Sequence, residues 1–399
     1  MRQQLIRLCL GFVCLGFVAL ALPASAPHAV AMDALAASTA DAMAPAASPQ
    51  AIAEYRRKLK EYQQARAAFE AEAGPYWASV SEKRKGRNAK RRERQTITLD
   101  DYVLTHPPRY TGPRRPVDPS PEPSEPSERK PIPVVADLVK AAAEEFQFAP
   151  QRPTTEAEFK RAYARYALAS GLTREQAVRV YSFETGGTGN YDVQSGIEHG
   201  GRRAISTAIG YNQLLTTNSV ELMAEQGHEF IKELTAKAAT LSGPARRVMD
   251  HKLAVLKKMV AFTLTVRDTW SEHERLANTP QGWAVHAMVL DIDVGPMLQT
   301  HKLLTSVIFA RAKGYDRPLS AAELEMMNLT GDGTGLDMAT MPQAMREQVP
   351  TSNFFQRGGY ERNPVAIRHN TVAKLLAVTD ERMDFNSNKP GAKELAAAF

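Results

Sequence analysis

From residue 134 onward, apolar residues recur three and four positions apart, the period of helices that bury one face. Phe159, Ala162, Tyr163, Tyr166 and Ala167 form one such stripe. It opens at a capping box, Thr155 with Glu158, and stops at Gly171. A second box, Thr173 with Gln176, opens a helix whose inner face holds Ala177, Val178 and Tyr181. Asn218 with Glu221 predicts a third start, and Pro244 begins a long helix with Met249, Leu253, Leu256 and Val260 inward and Lys252, Lys257 and Lys258 outward. Thr279-Pro280, Gly295-Pro296 and Ser320 with Glu323 mark three more helix starts. No run of alternating β-branched residues interrupts them. The predicted fold class is all-α.

Upstream of 134 the pattern changes. Tyr55, Leu59, Tyr62 and Phe69 predict a helix from about 50 to 77. A basic run follows, Lys83, Arg84, Lys85, Arg87, Lys90, Arg91, Arg92 and Arg94, and then ten prolines between 107 and 133. Proline at that density makes a stiff, extended spacer. Two readings of the basic run stay open, adhesion to an anionic surface or a solvated disordered tail. Residues 32–50, mostly Ala, Ser and Pro, read as a flexible leader.

The first residues have the pattern of an export signal. Arg2 and Arg7 precede an apolar stretch from Leu8 to Leu22, followed by Ala24-Ser25-Ala26 and Ala29-Val30-Ala31. The apolar stretch is short for a membrane span of about 20 residues. Cleavage near residue 31 would remove both cysteines, Cys9 and Cys14, and with them disulfides, thiolate nucleophiles and Cys-ligated zinc. The expected organisation is therefore a signal peptide at 1–31 and a leader, basic helix and linker at 32–133. A helical domain at 134–385 with a helical hairpin inserted at 219–277 follows, then a tail at 386–399. A periplasmic location follows from export.

The 399 residues carry a net charge of +6 and a hydrophobic fraction of 43% rich in alanine, which favours helices. All of the excess positive charge lies before residue 134, so the predicted domain has none of the basic surface of a nucleic-acid-binding core. His228-Glu229 and His273-Glu274 lack the second histidine of a zinc-protease helix, since Lys232 and Ala277 stand there. No Gly-x-Ser-x-Gly elbow surrounds Ser182, Ser195 or Ser206. Asp291, Asp293, Asp332 and Asp337 fall short of a calcium loop, so no metal or other cofactor is expected.

Glu184 is the candidate for chemistry. It lies three residues after Tyr181, on the buried face, and Thr185-Gly186-Gly187 ends its helix at once. A carboxyl at a helix C-terminus sits in negative potential, and burial disfavours its charged form. Both raise its pKa toward that of a general acid near neutral pH. An ordinary ion pair with Arg179 or Arg203 is the other reading of the same residue.

Four blocks in order extend this picture: Glu184-Thr185, Ser206 through Gly210-Tyr211-Asn212-Gln213, Glu325-Met326-Met327-Asn328-Leu329-Thr330-Gly331, and Phe354-Phe355 to Tyr360. Together they resemble the lytic transglycosylase domain of the lysozyme-like superfamily, over about 134–380 with the hairpin outside. The resemblance implies that Glu184 is the single acid/base and that Ser206, Tyr211 and Gln213 line a glycan groove. It also implies that Asn328 and Tyr360 orient the acid or the N-acetyl group, and that Asp293-Val294-Gly295 enters a groove-backing helix. Thr185 replaces the family's usual Ser, and the loop carrying Asp192, Glu198 and His199 is longer than usual.

The implied reaction cuts the MurNAc–GlcNAc bond of peptidoglycan glycan strands and closes a 1,6-anhydro ring. It needs one carboxyl where ordinary glycosidases use two. The basic segment 83–94 would meet an anionic envelope surface, and no nucleic acid is expected as a partner. Two other functions fit the same residues. One is a non-catalytic peptidoglycan-binding scaffold; the other is a muramidase hydrolase using Asp192 or Glu198 as second carboxylate.

Overall fold

The computed structural model describes residues 48–119, 131–197 and 203–399. The expected signal peptide, nearly all of the leader, and Glu198 and His199 lie outside the described residues. Helix dominates (68%), and strand pairing among the described residues is limited to three isolated bridges, Gln194–Ile209, Ile209–Leu214 and Pro350–Thr371. The class is all-α. The chain divides into two compact units, whose described parts are residues 48–119 for one and residues 131–197 and 203–399 for the other.

The first unit is built on α1 (Pro49–Arg92), capped by Ser48, whose side chain accepts from the Ala51 amide at 3.2 Å. The helix continues well past 77, through Pro75 and the basic run. Lysine and arginine are good helix formers, and one proline removes a single backbone bond. The segment after it folds back on α1. Lys90 pairs with Asp101 at 2.7 Å, the Arg87 guanidinium lies 4.3 Å over the Tyr102 ring, and Tyr110 packs edge-on against Tyr62 and Phe69. Arg87 is buried and Lys83 donates to the Asp100 carbonyl. The disordered-tail reading of 83–94 is therefore corrected, because the run is helix and several of its cations bind the chain that follows.

The second unit runs α2 (Val135–Phe146), α3 (Glu156–Ser170), α4 (Arg174–Glu184), α5 (Thr216–Ala239), α6 (Gly243–Thr263), α7 (Trp270–Ala277), α8 (Pro280–Ala287) and α9 (Val294–Ala312). It continues through α10 (Ala321–Thr330), α11 (Asp332–Thr340), α12 (Gln343–Arg346), α13 (Arg357–Glu361), α14 (Pro364–Arg368), α15 (Val372–Ser387) and α16 (Pro390–Ala398). The Thr155, Thr173 and Ser320 caps form as expected, accepting from Glu158, Gln176 and Glu323 amides at 3.1–3.2 Å. Gly171 closes α3 with φ 91°, a left-handed value that favours glycine.

α9 is the central strut, with α3, α5, α10 and α11 packed around it. A core cluster joins α2, α5, α6, α8 and the start of α9 through residues such as Phe146, Phe230, Leu256, Met259 and Leu298.

Four expectations are corrected here. Asn218 is not a cap: α5 starts at Thr216, the Asn218 side chain accepts from the Leu215 amide at 3.2 Å, and Glu221 is released to face α9. The 219–277 hairpin exists as α5 and α6, but its inner face belongs to the main core, so it is no separate insertion. Lys252, expected outward, is buried between Asp291 (2.8 Å) and Asp293. A buried cation needs such partners, and the pair fastens α6 to the start of α9. The expected C-terminal tail is also partly α16, which packs on α3 and α4, with Glu394 paired to the buried Lys160 at 2.7 Å.

Candidate active site

Glu184 is the last residue of α4, whose buried face is Ala177, Val178, Val180 and Tyr181. Thr185 caps the helix, its amide and hydroxyl both donating to the Tyr181 carbonyl at 3.0 and 2.8 Å. Gly186 and Gly187 then take φ of 65° and 75° and turn the chain away. This turn is clamped by the corner between α15 and α16. The Ala392 amide donates to the Gly187 carbonyl at 3.1 Å, and Tyr181 donates to the Gly189 carbonyl at 2.7 Å. A Cβ on Gly187 would overlap the Asn386 carbonyl, and one on Gly391 would come within 2.6 Å of the Tyr181 hydroxyl. Only glycine fits at either place.

The Glu184 carboxyl, partly buried, meets side chains from several helices. Asn328 of α10 donates from Nδ2 to Glu184 Oε1 at 2.8 Å. The same Nδ2 lies 3.5 Å from Glu325 Oε2, one turn earlier on α10, so one amide bridges the Glu184 and Glu325 carboxyls. Lys302 of α9 supplies the main positive charge, acting on Glu184, Glu325, Glu221 and Asp332, and Arg382 of α15 adds a weaker one. Ser306, one turn past Lys302, donates to Asp332 at 2.5 Å.

Burial pushes the Glu184 pKa up to about 7, against the Lys302 charge and the Asn328 and Glu325 hydrogen bonds, which favour its carboxylate. Burial raises Glu325 well above the usual carboxyl range, with the Glu184 charge adding to it. Glu221 rises to about 7 by burial and by the neighbouring Glu225. Lys302 is lowered by burial although four carboxyls oppose that shift. The site thus has more carboxyl groups than cations, and at neutral pH some of the carboxyls keep their protons. A group of this kind can give a proton to an oxygen and take one back.

The other candidate residues are placed differently. Gly210 has φ 84° and no room for a Cβ, because Gln299 of α9 lies against it. Gln299 Oε1 accepts from the Asn212 amide at 2.8 Å, and Asn212 Nδ2 donates to the Gln299 carbonyl at 2.7 Å. Gln213, itself at φ 44°, turns its amide nitrogen to the Gly210 and Val193 carbonyls at 2.8 and 3.3 Å. Ser206 Oγ accepts from the Ala208 amide at 3.1 Å.

Tyr211 is fully buried and donates to Glu156, so it belongs to the core and not to a sugar-binding surface. Tyr360 is buried with its ring 6.2 Å from Phe355. Asp192 is tied to Arg152, and Arg179 is held by Asp380 and Asp384, which removes it as the expected ion-pair partner of Glu184. Of the six candidate residues, Glu184 and Asn328 are brought into contact.

Sequence reasoning missed Lys302, Glu325 and Glu221. Of these, only Glu325 carries a weak signal, its place one turn before Asn328 on the same helix face. Ser219 and His286 were missed too. Ser219 Oγ lies 2.7 Å from His286 Nδ1, and His286 Nε2 lies 2.8 Å from the Thr207 carbonyl. Both residues are fully buried, and the pair ties α5 to α8 and the 206–208 turn. No protein-family model, curated protein or solved structure matches the chain.

Proposed function

We propose that the protein is a peptidoglycan lytic transglycosylase with a lysozyme-like catalytic domain and Glu184 as its single acid/base. The observation that supports this most is the Glu184 carboxyl at the end of α4, held by Asn328 and raised to about 7 by burial. In the proposed reaction Glu184 gives its proton to the glycosidic oxygen while the bond from that oxygen to C1 breaks. The resulting carboxylate then takes the proton of the C6 hydroxyl as its oxygen bonds to C1, closing the anhydro ring. Water takes no part, so a second carboxylate that activates water is unnecessary. The engagement of Asp192 by Arg152 fits that economy, since its carboxylate is already held by another side chain.

The same reading puts the chain in the periplasm, exported by its first 31 residues. The exposed Lys85 and Arg92 of α1, with Arg94 just past its end, would then face an anionic envelope surface. Solubilisation of purified sacculi tests the assignment. The wild type releases soluble glycan fragments, and Glu184→Gln, which keeps the shape without the proton, is slower by about 10²–10⁴-fold. Equal release by both, or none by a folded wild type, would exclude it, the second result favouring a binding scaffold.

A further inference from the structure

Resting on that reading, we propose that Glu325 is a positioning residue for Glu184, staying protonated throughout turnover and donating its carboxylic hydrogen to Glu184. The placement carries the argument. Glu325 is 2% exposed and lies on the face of α10 that also presents Asn328. Asn328 Nδ2 spans the two carboxyls, 2.8 Å from one and 3.5 Å from the other. Two carboxylates this close in a partly dry site do not both ionise. The charged groups around them decide which keeps the proton. Lys302 from α9 favours the carboxylate of both, whereas Arg382 from α15 acts on Glu184. Glu221 from α5 and Asp332 from α11 draw on the same Lys302 charge. Glu325, deeper and with less positive charge, is the one that stays neutral, in keeping with its more strongly raised pKa.

The consequence concerns the second half of the reaction. After Glu184 has given its proton away, a bare carboxylate is left partly buried. Asn328 and Glu325 together supply two donors to it, and neither has to lose a proton. The proton exchanged with substrate belongs to Glu184 alone, so the chemistry still balances around one acid.

Two substitutions separate this from a merely structural role. Glu325→Gln keeps a neutral donor and should stay within about threefold of wild-type turnover. Glu325→Leu removes the donor and should lose roughly tenfold or more in kcat. The basic limb of its pH profile should also move to higher pH, because the Glu184 carboxylate has lost a stabilising bond. Glu325→Gln as inactive as Glu184→Gln would mean that Glu325 reacts in its own right. Glu325→Leu with wild-type turnover and profile would mean that it does nothing for Glu184. Either result overturns the inference.

If Glu325→Leu does not fold, infrared spectroscopy of wild type and Glu325→Gln at pH 8 decides. A protonated-carboxyl band in the wild type that is missing from the variant supports the inference; identical spectra overturn it. Full turnover by Glu184→Gln overturns instead the reading beneath it.

Discussion

The amide nitrogen of Asn328 fixes both the direction and the proton affinity of Glu184. Because it donates to the carboxylate, its loss destabilises the charged form and raises the pKa further. Asn328→Ala should therefore extend protonation of Glu184 to higher pH while slowing the step in which the carboxylate recovers a proton. The expected result is a lower kcat with a basic limb displaced upward, read from initial rates across pH 5–9. A displacement downward would contradict the placement of that hydrogen bond.

At the same scale, His286 is a fully buried neutral imidazole whose pKa burial lowers to about 4. The unfolded chain binds a proton near pH 6.5 that the folded one does not. Stability is therefore lost as pH falls from 6.5 toward 4, by about 3 kcal/mol from this group. His286→Gln removes that dependence, so its stability deficit relative to wild type should shrink between pH 7 and pH 4.5 in denaturant unfolding. A constant deficit would show that the imidazole is not held neutral.

Among the elements, the corner between α15 and α16 decides how the chain leaves α4. Gly391→Val would drive a side chain into the Tyr181 hydroxyl and the Gly187 carbonyl, 2.6 and 2.9 Å from the position of its Cβ. Overpacking of this kind costs about 1–3 kcal/mol. The variant should fold with a lowered Tm yet lose most of its glycan-cleaving rate, because the turn after Glu184 shifts. Wild-type rate in a destabilised Gly391→Val protein would separate the clamp from the site.

Legibility divides along the same line. Caps formed by Thr155, Thr173 and Ser320 were readable because a cap is a contact within four residues. So was the inward turn of Glu184, which needs only the helical period. The Asn218 start failed because Asn218 is used one turn into α5, and Lys252 failed because its two aspartates lie some forty positions away. Tyr211 was assigned to a groove although the partner that draws it inward, Glu156, comes from α3. Glu325 and Lys302 join Glu184 only when α4, α9 and α10 are packed, and spacing along one helix carries no record of that.

At the scale of the whole molecule, the chain comprises a basic helical unit and a helical domain that carries the site. The charges of the domain balance, while the excess positive charge lies upstream. In the proposed division of labour the first unit serves location and the second serves chemistry. The central claim concerns the second alone: one glutamate cuts the glycan, and the substrate's own hydroxyl closes the product. Its most direct test is digestion of sacculi in ¹⁸O-labelled water, with mass spectrometry of the released muropeptides. The account predicts fragments lighter by one water than hydrolysis products and free of ¹⁸O at their ends. Reducing ends carrying ¹⁸O would contradict it and make the protein a hydrolase.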